Sequence, residues 1–102
     1  MDRSSRSQGT VMCKRCNGRR SLSECNRFST LQRCQPHEIC GMEIRVQNSR
    51  RTISVQCKQR QACLNEATQN RAQCRRSSRN KTCRFCCNKR LCTPFNFTCL
   101  QI

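Results

Sequence analysis

Cysteine constrains this chain more than any other residue type. Thirteen of its 102 residues are cysteine, whereas roughly 8 to 10% already marks a disulfide scaffold in a short chain. Leu, Ile, Val and Phe together supply only 16 residues, which is too few for an ordinary hydrophobic core. We therefore expect one small domain in which covalent cross-links replace much of that core, and we exclude an enzyme with a large buried core.

The cysteines fit an oxidising compartment better than the cytosol. Lys and Arg number 21, and neighbouring cations favour the reactive thiolate form of cysteine. Two Asn-x-Thr sequons begin at Asn80 and Asn96 and are candidate glycosylation sites. We therefore predict a secreted or extracellular protein, although the first ten residues are polar and contain no hydrophobic signal segment. No apolar run approaches the roughly 20 residues of a membrane-spanning helix, so we expect no transmembrane segment.

A zinc site is the alternative for some of the same cysteines. Cys13 with Cys16, and Cys83 with Cys86, form two C-x2-C pairs that are each able to place two thiolates on one ion. The two pairs lie much farther apart in sequence than the roughly 15 to 20 residues of a zinc ribbon. The single histidine, His37, has no partner at ligand spacing. We expect no metal and no other cofactor, and an intracellular zinc module that binds nucleic acid is kept as an alternative.

The middle of the chain has the clearest secondary-structure pattern. Apolar and polar residues alternate over 42–46 and again over 53–55, on either side of the polar segment 48–51. This pattern predicts a β-hairpin with one apolar and one polar face. Arg50 and Arg51 are expected at its tip.

The remaining segments give weaker patterns. We expect a disordered basic arm over residues 1–12, the folded domain over residues 13–93 and a carboxyl-terminal tail over residues 94–102. Within the domain, residues 23–31 predict a loop. Residues 64–84 hold very few apolar side chains, so we expect a long solvated loop that is held by its cysteines.

The spacing of ten cysteines resembles that of a known family. Their order is Cys13-x2-Cys16, Cys25, Cys34, Cys40, Cys57-x5-Cys63 and Cys86-Cys87-x4-Cys92. It is similar to the pattern of the three-finger family (LU domains), which includes urokinase-receptor and lymphocyte-antigen domains, the complement inhibitor protectin and snake three-finger toxins. The resemblance covers residues 11–93. It implies a small, disulfide-rich, all-β fold in which a cysteine knot carries three fingers, roughly residues 17–33, 41–56 and 64–85.

The resemblance also implies a disulfide pairing, which sequence alone leaves open. The five implied bridges are Cys13–Cys40, Cys16–Cys25, Cys34–Cys57, Cys63–Cys86 and Cys87–Cys92. Cys74, Cys83 and Cys99 are additional, and the simplest account is a sixth bridge between Cys74 and Cys83. Cys99 is then a free thiol or an intermolecular bridge that forms a homodimer.

One further departure from the family concerns the end of the domain. Thr93 stands where the family usually has an asparagine, whose side-chain amide ties the carboxyl end to the knot. A threonine offers only a hydroxyl group there. We therefore expect a looser closure at this point.

The ionisable residues predict a binding protein, not an enzyme. The acids are Asp2, Glu24, Glu38, Glu43 and Glu66, and they form no paired carboxylate. No Gly-rich phosphate cradle and no convincing nucleophile with a base accompany them. We expect Glu43 to be the cross-strand partner of a basic residue. The net charge of +16 exceeds the magnitude of about 2 to 8 that solubility requires, which favours an acidic partner.

The predicted binding residues are basic side chains of the second and third fingers, namely Arg45, Arg50, Arg51, Arg75, Arg76, Arg79 and Lys81. Trp and Tyr are absent and the four Phe lie mostly outside the basic segments, so we do not expect base stacking or a nucleic-acid partner. An extracellular receptor, as the resemblance implies, or an acidic polymer such as a sulfated glycan, an anionic surface or an acidic matrix is expected. A structural component of an extracellular matrix or gamete surface is a further alternative.

Overall fold

The chain forms an antiparallel sheet with two helices attached to it. The computed structural model describes residues 10–75 and 79–97, without the side chains of residues 70–73 and 75. In chain order the elements are β1 (Met12–Arg19), α1 (Leu22–Arg27), β2 (Thr30–Arg33), β3 (Glu38–Gln47), β4 (Arg50–Gln59), α2 (Arg60–Arg75), β5 (Lys81–Cys87) and β6 (Leu91–Cys92). The expected all-β class is therefore too narrow, because both helices are part of the fold.

Strand β1 joins the two halves of the sheet. Among the described residues six strands pair in the order β2–β1–β4–β3–β5, and β6 lies beside β1. The first half of β1 pairs with β2 and, in parallel, with β6. Its second half pairs with β4, through Cys16 opposite Val55 and Arg19 opposite Ile53. Every pairing except that of β1 with β6 is antiparallel.

The predicted hairpin is confirmed as β3 and β4. Ile44 lies opposite Ile53 in the register, so the alternating apolar residues of the two strands share one face. The turn consists of Asn48 and Ser49 alone, with φ angles of 52° and 68°. Positive φ at both central residues is typical of a two-residue turn that follows the twist of the strands. Arg50 therefore begins β4 instead of lying in the turn.

Disulfides make up most of the core. Ten of the 16 buried apolar residues in the described part of the chain are cysteines, and Ile53 and Val55 are fully buried among them. The bridges are Cys13–Cys40, Cys16–Cys25, Cys34–Cys57, Cys63–Cys86, Cys74–Cys83 and Cys87–Cys92. These are the five pairs that the family resemblance implies and the sixth pair that we expected within residues 64–84. Each bridge stabilises the domain by roughly 2 to 4 kcal/mol, chiefly by restricting the unfolded chain.

The long solvated loop predicted over residues 64–84 is wrong. Helix α2 and strand β5 account for most of this segment. Gln, Ala and Arg each occur three times in α2 and all have good helix propensity. Cys63 and Ala67 lie one turn apart and are both buried, so they form the packed face of the helix. Disulfides from Cys63 and Cys74 attach the helix to β5 at two points.

The loop predicted over residues 23–31 is also partly wrong, because α1 occupies most of it. The hydroxyl of Ser21 accepts a hydrogen bond from the backbone N–H of Glu24 (3.0 Å). In return the Glu24 carboxylate accepts one from the backbone N–H of Arg20 (2.9 Å). Such reciprocal capping satisfies backbone donors that a helix start leaves unpaired. The Cys16–Cys25 bridge then ties this short helix to β1.

The packed domain extends slightly beyond residues 13–93. Val11 is buried and β1 begins at Met12. At the other end Pro94 is buried and Phe97 packs against the core. Residues 11–12 and 94–97 therefore belong to the domain. Among the described residues, no helix has the length and apolar character needed to cross a bilayer.

Candidate anion-binding surface

The four described acids are all engaged in local structure. Glu24 caps α1, and the carboxylate of Glu38 accepts a hydrogen bond from the backbone N–H of Gln35 (2.9 Å). Glu43 forms an ion pair with Arg45 (2.8 Å), and Glu66 forms one with Lys58 (2.5 Å). The chain has 21 basic residues and five acids, so its basic side chains far outnumber the carboxylates that could pair with them.

Arg84 lies between two of these carboxylates. It is directly opposite Glu43 in the pairing of β3 with β5, which confirms that Glu43 has a basic cross-strand partner. The Nε atom of Arg84 is 3.7 Å from Glu43 Oε1 and 3.9 Å from Glu66 Oε1. These contacts link α2 to the sheet. They also engage two of the few carboxylates near basic residues of this chain.

Four arginines from three chain segments meet at the tip of the hairpin. We call Arg20, Arg50, Arg51 and Arg79 the hairpin-tip arginines. The first two residues of β4 supply Arg50 and Arg51. Arg20 follows the end of β1, which is paired with β4. Arg79 is held at the turn because its carbonyl accepts a hydrogen bond from the backbone N–H of Ser49 (3.3 Å).

A second hydrogen bond fixes the segment that carries Arg79. The side-chain oxygen of Asn80 accepts a hydrogen bond from the backbone N–H of Asn48 (2.9 Å). Asn80 is exposed, so the sequon that begins there lies beside the hairpin tip. The two bonds place the start of β5 against the turn between β3 and β4.

The hairpin-tip arginines are all exposed, and Arg20, Arg50 and Arg51 line an open cleft. Three of them, with Val46, Ser49 and Thr52, surround a space of about 540 Å³. None of the four guanidinium groups forms an ion pair, a side-chain hydrogen bond or a ring contact with another described residue. Four like charges around the turn, with no such partner among the described residues, produce a positive potential that attracts anions over a Debye length of about 8 Å in physiological salt.

A second basic group lies beside the first, around the exposed ring of Phe28. The guanidinium carbon of Arg19 is 4.5 Å from the centroid of this ring, and that of Arg27 is 5.5 Å away. Both distances are within the range of favourable cation–π contacts. Phe28 is 50% exposed. Arg19 is paired with Ile53 of β4, which lies two residues from Arg51, so the two groups are close together.

The structure gathers only some of the predicted binding residues. Arg50, Arg51 and Arg79 are part of the hairpin tip. Arg45 is instead paired with Glu43, and Lys81 donates a hydrogen bond to the carbonyl of Cys74 (3.4 Å) at the end of α2. The side chain of Arg75, and all of Arg76 and Cys99, lie outside the described residues.

Sequence reasoning missed Arg19, Arg20, Arg27 and Phe28. A local signal existed, since Arg19-Arg20 and Arg27-Phe28 are adjacent pairs. Their proximity to the hairpin depends on the pairing of β1 with β4 and on the cap of α1, which a reading of single segments did not predict. The description of the Phe residues as lying mostly outside the basic segments does not hold for Phe28.

The cysteines of the alternative zinc site take part in disulfides. Cys13, Cys16, Cys83 and Cys86 belong to four separate bridges. The sulfur atoms of Cys13, Cys34 and Cys57 also lie close together. Each of these is bridged as well, and a bridged sulfur offers no thiolate to a metal ion. No protein-family model matches this chain, and no curated protein or solved structure matches it either.

Proposed function

We propose that this protein is a secreted, basic three-finger binding protein that uses its second and third fingers, together with Arg20 of the first, to hold an extracellular acidic polymer. A sulfated glycan is the polymer class that we favour. We infer that it binds without catalysis, because the four described carboxylates serve as caps or ion-pair partners. The one histidine, His37, is exposed in a turn and has no nucleophile beside it in the sequence.

Several features support the three-finger assignment. Five of the six bridges are the pairs that the resemblance implies, and the β3–β4 hairpin coincides with the expected second finger. The third expected finger differs, since α2 occupies much of it. Twelve bridged cysteines also support secretion, because disulfides persist in oxidising compartments.

The observation that carries the proposal is the group of unpaired hairpin-tip arginines. A planar guanidinium group suits two-point contact with sulfate, phosphate or carboxylate. Val46 is the only apolar side chain that lines the described cleft. A protein receptor would instead be expected to offer a buried aromatic or aliphatic anchor to a pocket at the centre of the interface. An acidic polymer requires no such pocket, so we favour the polymer.

The experiment is heparin affinity chromatography of the oxidised protein and two variants. In the tip variant Arg20, Arg50, Arg51 and Arg79 are replaced by Ser. In the matched control the same number of exposed cations is replaced elsewhere, at Arg33, Arg60, Lys89 and Arg90. Both variants lose four charges, so any difference between them reports position and not net charge.

We expect the tip variant to elute at clearly lower salt than the control variant. Contacts between exposed charges weaken as salt screens them, and only the tip variant loses contacts that the proposal assigns to the polymer. Equal elution of the two variants would contradict the proposal, because retention would then follow net charge alone.

A further inference from the structure

The fold places an aromatic ring in contact with two arginines near the hairpin tip. Phe28 ends α1, and Arg27 is the last residue of that helix. Arg19 comes from the end of β1, so the contact joins two elements. The Cys16–Cys25 bridge and the capping bonds of α1 fix these elements relative to each other.

A local irregularity in β1 directs Arg19 toward this ring. Between Cys16 and Arg19 the register with β4 shifts by one residue, which is a β-bulge. Gly18 lies within it at a φ of 63°, and its backbone N–H donates to the hydroxyl of Ser54 (2.9 Å). Only glycine adopts such a backbone conformation without steric cost. The bulge thereby sets where the side chain of Arg19 leaves the strand.

We propose that Phe28 is a positioning residue that orders Arg19 and Arg27 as a second anion-binding group, so that a sulfated polysaccharide crosses from this group to the hairpin tip. This inference rests on the proposed function. A guanidinium group that stacks on a ring uses its flat face, and its N–H donors remain in the plane and point outward. The ring therefore restricts the two arginines without occupying the donors that bind sulfate.

The two basic groups lie close enough for one polymer to contact both. Arg19 is opposite Ile53, and Arg51 lies two residues farther along β4, so the side chains of Arg19 and Arg51 leave the same face of the sheet. At about 3.3 Å per strand residue this step covers roughly 7 Å. Arg20 follows Arg19 in the chain and lines the hairpin-tip cleft. A polymer with regularly spaced sulfates can contact all of these arginines at once, whereas a disaccharide carries too few sulfates to do so.

A polysaccharide fits this surface better than a single-stranded nucleic acid. Nucleic acids of that kind are held by open aromatic faces on which bases stack. Phe28 already contacts two guanidinium groups. The other exposed aromatic residue among those described is Phe95, which follows the last bridge at the disulfide-bonded end of the domain. We therefore assign the ring of Phe28 to the ordering of arginines that bind sulfate, and not to stacking on a base.

The test compares variants that leave the net charge unchanged. Phe28→Leu removes the ring, Phe28→Trp keeps an aromatic face, and Phe95→Leu is the matched control at an equally exposed ring without a cation contact in the described structure. Affinity is measured by calorimetry for a heparin octasaccharide, a heparin disaccharide and a single-stranded oligonucleotide of matched charge. Far-ultraviolet circular dichroism and thermal unfolding check that each variant is folded.

We expect Phe28→Leu to weaken octasaccharide binding by about 3- to 10-fold, the size of one or two exposed cation–π contacts. Disaccharide binding should weaken less, because a disaccharide contacts fewer of the arginines. Phe28→Trp should retain native affinity, and so should Phe95→Leu. Arg27→Lys, which keeps the charge but not the planar group, should also weaken octasaccharide binding, and it provides the test if Phe28→Leu does not fold.

Each alternative outcome has a definite meaning. If Phe28→Leu and Arg27→Lys both bind the octasaccharide with native affinity while the tip variant loses binding, this inference is overturned and the proposed function stays intact. If neither Phe28→Leu nor the tip variant loses binding, both this inference and the proposed function are refuted. Tighter binding of the oligonucleotide than of the octasaccharide would overturn the assignment to a polysaccharide.

Discussion

Replacement of Asn96 should destabilise the domain although the residue lies beyond the last bridge. Its side-chain oxygen accepts a hydrogen bond from the backbone N–H of Thr93 (2.9 Å), and its side-chain NH2 donates one to the carbonyl of Leu91 (3.0 Å). The two bonds close the chain around the Cys87–Cys92 bridge. The family resemblance leads one to expect an asparagine at position 93, where this chain has Thr93. Asn96 provides the amide contact instead. The looser closure that we predicted at this end of the domain is therefore wrong.

The size of the effect follows from those two bonds. A hydrogen bond within a protein contributes about 0.5 to 1.5 kcal/mol net, so Asn96→Ala should lower the free energy of unfolding by about 1 to 3 kcal/mol. Asn96→Asp keeps the acceptor for Thr93 and loses the donor to Leu91, so it should lose about half as much. Asn88→Ala is the control, because Asn88 is exposed and forms no side-chain hydrogen bond with the described residues, and its effect should stay within about 0.5 kcal/mol.

The assay is equilibrium unfolding in guanidinium chloride with all disulfides intact. The midpoint should decrease in the order native, Asn96→Asp, Asn96→Ala, and the slope of free energy against denaturant should stay constant. Guanidinium is a salt and screens the charge that Asp introduces. An Asn96→Ala protein with the stability of Asn88→Ala would refute the argument that the amide closes the domain.

Three further predictions concern stability and covalent structure. Gly41→Ala should lower the free energy of unfolding by about 1 to 3 kcal/mol, because an added Cβ would lie 2.9 Å from Lys58 Cδ and 3.1 Å from the bridged Cys63 Sγ. Gly18→Ala meets no atom within 4 Å, but its φ of 63° should lower the free energy of unfolding by about 1 to 2 kcal/mol. Denaturation curves of the two variants measure both effects. Non-reducing peptide mapping should join Cys63 with Cys86 and Cys87 with Cys92, and a Cys86–Cys92 link would contradict the disulfide framework. Any disulfide-linked dimer on a non-reducing gel should disappear with Cys99→Ser, since Cys99 is the one cysteine outside the six bridges, and a dimer that survives would exclude a bridge through this residue.

The parts of the fold that sequence predicted are those set by local pattern. The β3–β4 hairpin was predicted because alternation of period two directly reports which side chains share a face. Glu43 was correctly expected to face a basic residue across the sheet. The pairing of the other ten bridged cysteines, apart from Cys74 and Cys83, was different in kind, since it came from the family resemblance and no local pattern in this chain specifies it.

The parts that sequence missed depend on cysteine packing or on distant contacts. The packed face of α2 is made of Cys63 and Ala67, which a count of large apolar residues does not include. The cap of α1 was readable from Ser21 and Glu24 but was overlooked. Arg20 joins the hairpin tip only because β1 pairs with β4. The alternation of apolar and polar residues in a strand does not indicate which distant segment the strand pairs with.

The salt dependence of polymer binding tests the central claim most directly. Each cation that contacts a polyanion releases about one counterion, and the slope of log affinity against log salt measures that number. Heparin octasaccharide binding is measured over a range of salt for the native protein, the tip variant and the control variant with Ser at Arg33, Arg60, Lys89 and Arg90. We predict that the slope decreases in magnitude by about 3 to 4 for the tip variant and stays unchanged for the control variant. An equal decrease in both variants, or none in the tip variant, would contradict the claim that the hairpin-tip arginines bind the polymer.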